Sequence, residues 1–125
     1  MMAAPPRRSL SDTLVFHRLN DLVCAWYIHT KRLPKLDRYT VGQRTFDLLL
    51  EMLVVIVRAQ YAGEHTKKAL LQTTVPHLDT VKVLIRLTHK LQIINEREYI
   101  RYEAACHEIG KMLGGWIRSL EKKPE

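Results

Sequence analysis

Between Phe46 and Val57 ten of twelve residues are apolar, and only Asp47 and Glu51 break the run. A helix in a single small bundle needs one buried stripe, so a segment apolar on nearly every side demands a second partner surface. The simplest such surface is another copy of the same chain. Asp47 and Glu51 lie one turn apart, with Arg58 roughly two turns beyond Glu51, which leaves a narrow polar strip along this helix. The segment therefore reads as a helix of a homo-oligomer.

The flanking sequence organises into helices around it. Residues 1–10, with Pro5-Pro6-Arg7-Arg8, read as a flexible basic N-terminal arm, and Ser11 or Asp12 is expected to cap the first helix. Its inward positions are Val15, Leu19, Leu22, Trp26 and Leu33, widened by Phe16, Val23 and Tyr27. Pro34 biases Leu33 away from helical torsions and ends the helix near Arg32. A second helix runs from about Tyr39 to Tyr61 and is expected to stop at Gly63. Residues 64–75 read either as a loop or as a short helical turn. Pro76 suits the first turn of a third helix extending to about Ile93, with Leu78, Val81, Leu84, Ile85, Thr88 and Leu91 on its inner face.

Asn95 followed by Glu98 has the spacing of a capping box and opens a fourth helix to about Leu120. Tyr99, Tyr102, Cys106, Ile109, Leu113, Trp116 and Leu120 then alternate spacings of three and four, a continuous seam. Four helices joined by short connections, with no strand pattern, give an all-α, antiparallel up-down-up-down four-helix bundle over residues 11–121, followed by a tail at 122–125.

The chain carries 20 Lys and Arg against 13 Asp and Glu, a net charge of +7, which favours an anionic partner such as nucleic acid. Lys82, Arg86 and Lys90 recur every four residues, a pitch of about 6 Å that is comparable to phosphate spacing, and no acid falls between Asp79 and Glu96. Arg97 and Arg101 follow at the start of the fourth helix, and Lys31, Arg32, Lys35 and Arg38 crowd the first corner. These nine residues are the candidate nucleic-acid contacts. Cys24 and Cys106 lie in apolar-periodic segments and read as reduced core thiols of a cytoplasmic protein. No apolar stretch follows Arg7-Arg8 as a secretory leader requires, and Phe46–Val57 is too short to span a bilayer.

Catalytic and metal chemistry find little support. The six histidines are scattered and form no Glu-x-x-His pair, whereas a di-iron bundle needs two such pairs and two further Glu. There is no glycine-rich phosphate loop and no serine elbow. A cysteine in an apolar seam packs as a protonated thiol. The reading is a non-enzyme without cofactor or metal.

The turn Leu33-Pro34-Lys35-Leu36-Asp37-Arg38-Tyr39, the apolar helix after it, and Glu108-Ile109-Gly110-Lys111-Met112-Leu113-Gly114-Gly115-Trp116-Ile117 together resemble the accessory variability determinant (Avd) proteins of diversity-generating retroelements. They are also similar to the wider four-helix-bundle family named for intervening sequences in ribosomal RNA genes. Trp116 after the glycines, Val57-Arg58-Ala59 at the end of the apolar helix, and the basic third helix look more like the retroelement branch. The resemblance implies a homopentameric barrel that binds a reverse transcriptase, template RNA and cDNA, and supports mutagenic copying without catalysing it. The alternative is a structural oligomer of the intervening-sequence type.

For the subunit interface the residues expected are Leu49, Met52, Leu53, Ile56, Gly110 and Gly114. The two glycines lie one turn apart inside a helix, where each costs about 1 kcal/mol relative to Ala, so close approach of another backbone is the expected return.

Overall fold

A computed structural model describes residues 10–121. The basic arm is outside the described residues apart from Leu10, and so is the tail at 122–125. Four long helices carry the fold: α1 (Leu10–Thr30), α2 (Gln43–Tyr61), α3 (Glu64–Lys90) and α4 (Glu96–Glu121). Among the described residues there is no strand, and no helix is long and apolar enough to cross a membrane. Each helix packs on two others, α1 on α2 and α4, α3 on α2 and α4, which closes the antiparallel bundle.

The core is built from the expected stripes. Val15, Leu19, Leu22, Trp26 and Leu33 are buried, as are Tyr102, Cys106, Ile109, Leu113 and Trp116 of the α4 seam. Three expected core positions face out instead. Tyr27 is exposed, with its ring against Phe46 and the Lys31 ammonium 5.0 Å away; Leu91 sits past the end of α3; and Cys24 lies on the exposed side of α1. Helix α1 already contains Ser11 and Asp12, so neither is its cap.

Helix α3 begins twelve residues earlier than Pro76, at Glu64, and holds Pro76 in its interior. An internal proline removes one backbone hydrogen bond and costs about 3 kcal/mol. Packing outweighs that cost, because Leu71 and Thr74 before the proline and Leu78 and Val81 after it form one buried face. Gly63 is extended, with φ −64° and ψ 159°, and precedes α3 as its N-cap instead of terminating α2 with left-handed backbone.

Two corners set the geometry of the surface. Between α1 and α2 the chain makes one α-helical turn, Lys35–Asp37, and a π-helical stretch, Arg38–Gly42. The Trp26 indole nitrogen donates to the Gly42 carbonyl at 2.9 Å, and a Cβ on Gly42 would meet the Asp37 carbonyl at 3.1 Å. Only glycine fits this close approach without displacement. Between α3 and α4, Gln92 adopts φ 61°; its N–H donates to His89 O, and the next N–H, of Ile93, donates to Thr88 O, both at 2.9 Å. This is the Schellman arrangement. The reciprocal capping box follows at once, with Asn95 N–H to Glu98 Oε1 at 2.9 Å and Glu98 N–H to Asn95 Oδ1 at 2.8 Å. The two motifs in tandem fold α4 back along α3.

Candidate nucleic-acid interface

The tight α3–α4 turn places the basic side of α3 beside α4. Between them lies a groove of about 430 Å³ lined by Lys82, Ile85 and Arg86 from α3 and by Tyr99, Ile100, Glu103, Ala104, Cys106 and His107 from α4. The Tyr99 ring stacks on His89, with centroids 4.3 Å apart and planes 5° from parallel. A hydrogen bond to Glu103 raises the Tyr99 phenol pKa above its ordinary 10.0, while Arg86 acts in the opposite sense. Burial pushes the Cys106 thiol up to about 11 despite the nearby Lys82, so this cysteine is a protonated packing residue.

On the other flank of α4 a second hollow is lined by Ala25, Ile28 and His29 from α1, by Arg32 in the turn after it, and by Glu98, Arg101 and Tyr102 from α4. His29 is only 6% exposed, and its Nδ1 lies 3.2 Å from Glu98 Oε2. Burial lowers the His29 pKa from 6.5; the Glu98 carboxylate opposes this and Arg32 adds to it. The net shift is downward, so the contact at neutral pH is a neutral imidazole N–H donating to a carboxylate.

That shift has a stability consequence. Below about pH 6.5 an unfolded His29 takes up a proton that the native site resists, so stability is complete above that value and falls as pH drops through it. Urea midpoints measured from pH 8 to pH 5 are expected to decline on the acid side, and His29→Gln is expected to flatten that decline. An unchanged acid limb in the variant would mean that other groups cause it.

The nine candidate contacts thus separate. Lys82 and Arg86 share the α3–α4 groove, Arg32 and Arg101 share the α1–α4 hollow, and Arg97 is exposed on the first turn of α4. The two pairs thus lie on opposite flanks of α4, each with one carboxylate among the lining residues, Glu103 in the groove and Glu98 in the hollow. Lys90 is exposed in the last turn of α3 but does not line the groove; Lys31 and Lys35 are exposed at the first corner. Arg38 is committed elsewhere. Its guanidinium donates to the carbonyls of Thr30, Lys31 and Leu33 at 3.2, 2.9 and 3.1 Å, closing the end of α1.

The expected interface residues are also redistributed. Leu49, Met52 and Ile56 are buried in the protomer's own core, and Leu53 is half-buried. The outer side of α2 carries Leu50, Val54, Val57 and Tyr61, exposed to 37, 56, 38 and 54%. A Cβ on Gly110 would meet Leu78 of α3 at 3.3 Å, so the close approach it permits is internal, whereas one on Gly114 would meet only Arg118 of its own helix, at 3.1 Å.

The apolar run carries two stripes of helical spacing, and the outer one is that which shares its side of the helix with Asp47, Glu51 and Arg58. The groove residues Tyr99, Glu103 and His107 have no motif spacing, and only their i, i+4 row on α4 could have grouped them.

The fold defines an all-helical protein built as a four-helix bundle. Residues 13–120 match the family described as bAvd-like, and the chain belongs to that family. No curated protein and no solved structure matches it. Membership points to an accessory role in diversity-generating retroelements.

Proposed function

We propose that this protein is a non-catalytic accessory that binds a retroelement reverse transcriptase and nucleic acid, and supports mutagenic cDNA synthesis from template RNA. The observation carrying the nucleic-acid part is the run of five cations along α4, Lys82 and Arg86 in the groove on one flank, Arg32 and Arg101 in the hollow on the other, and Arg97 exposed on the first turn. Cations spread at random over a surface balance local acids; cations gathered along one helix raise the local potential and attract polyanions. Family membership supports the polymerase partner. The chemistry of copying belongs to that partner.

The scaffold acts as a homo-oligomer, with five copies as the assembly that the family resemblance favours. Its contact is the outer ridge of α2, where Leu50, Val54, Val57 and Tyr61 recur at helical spacing between Asp47, Glu51 and Arg58. An apolar ridge bordered by both signs of charge suits a copy of itself.

Phosphate binding predicts a steep loss of affinity for RNA and DNA between roughly 50 and 200 mM salt, with little sequence preference. Replacing Lys82, Arg86 and Lys90 together by Ala is expected to weaken binding and to lower the salt slope by roughly one unit per lost contact, with helicity unchanged. Binding that survives the triple substitution would assign the row to solvation alone. Co-purification with the reverse transcriptase after nuclease treatment tests the partner. Separation once RNA is digested would remove direct contact and favour the structural-oligomer alternative.

A further inference from the structure

We infer that the α3–α4 groove receives an unstacked base of single-stranded nucleic acid, so that this face reads a strand whose bases are free and not a closed duplex. The inference rests on the nucleic-acid reading above and specifies its ligand. Phosphates alone need exposed cations and no concavity, yet here Lys82 and Arg86 border a groove with walls of Ile85, Ile100, Ala104 and Cys106. Cationic charge beside an apolar slot calls for a ligand that is both anionic and apolar, and about 430 Å³ is within the range of small-molecule sites. A duplex keeps its base faces stacked inside and would leave this slot unfilled.

The aromatic component is also present. Tyr99 borders the groove, and its ring is held by the parallel stack on His89. Single-strand binders combine such a supported aromatic plane with a cationic track for the backbone, because every base has a face to stack and every linkage a charge. Lys82 and Arg86 are one helical turn apart, about 6 Å along α3, which suits successive phosphates of a strand following the groove. Glu103 and His107 stand on the opposite wall with polar atoms for a base edge.

The test compares three labelled probes with the full-length protein by fluorescence anisotropy at low salt. They are a short oligonucleotide, an abasic strand of equal length and charge, and the corresponding duplex. The intact strand is expected to bind at least about fivefold more tightly than the abasic strand, from the usual contribution of one stacked base. Ala104→Leu, at an exposed wall position, is expected to fill the slot without adding an aromatic plane and to erase that preference; Ala104→Met serves the same purpose if the first variant loses helicity. Equal binding of intact and abasic strands overturns the inference and leaves the nucleic-acid reading standing. So does a preference that persists with the slot blocked. Failure of every probe to bind overturns both.

Discussion

Ile56→Asp is expected to unfold the chain, whereas Val54→Asp, two positions away on the same helix, is expected to leave the protomer folded and to prevent its assembly. Ile56 is fully buried in the protomer core among Leu49, Met52 and Ala59, so the substitution deletes core packing and also confines a carboxylate without a partner. Loss of the aliphatic side chain alone costs about 2–5 kcal/mol, and an unpaired buried charge adds several more, against a total stability of about 5–15 kcal/mol for an ordinary domain. Val54 is 56% exposed on the outer ridge, where a carboxylate stays hydrated and costs the fold little. Circular dichroism checks the first result and light scattering the second. A folded Ile56→Asp protein would contradict the packing of α2, and an oligomeric Val54→Asp protein would remove the ridge from the interface.

Trp26→Ala is the other substitution with a large expected effect, a loss of about 3–5 kcal/mol for an aromatic core truncation. The indole is fully buried, stacks near His29 at 6.0 Å, meets Tyr102 edge-on at 5.1 Å and satisfies the Gly42 carbonyl. Its removal also deletes the hydrogen bond to that carbonyl, a net contribution of about 0.5–1.5 kcal/mol for an ordinary bond. Trp26→Phe keeps one aromatic ring while losing the N–H and part of the indole volume, so it removes less packing than the alanine variant. Denaturant unfolding is expected to rank the proteins as wild type, Trp26→Phe, then Trp26→Ala. A Trp26→Phe protein as stable as wild type would mean that the Gly42 hydrogen bond contributes nothing net.

The same corner shows how reach decides what local sequence leaves open. Arg38 belongs to a visibly basic cluster, and charge alone places it with the phosphate contacts. The π-helical stretch and the end of α1 bring three carbonyls within its reach, and it closes a helix end instead.

What the sequence by itself determined was the helical class, the bundle, most of the core stripe on each helix and the capping box at Asn95 and Glu98. These rest on periodicity and on contacts within one turn, which local spacing carries in full. Only the tertiary structure decided that α3 runs through Pro76, because the gain from one buried face spanning Leu71 to Val81 outweighs a local backbone cost that the proline announces plainly. It also decided which half of the Phe46–Val57 run faces inward. Asp47 and Glu51 mark the outer stripe, but its other members, Leu50, Val54 and Val57, are as aliphatic as the inner ones, and the burial of the inner stripe comes from α1 and α3, which lie far from the run's own neighbours in the chain. The α3–α4 groove belongs to the same category, since its two walls meet only after the chain has turned at Gln92.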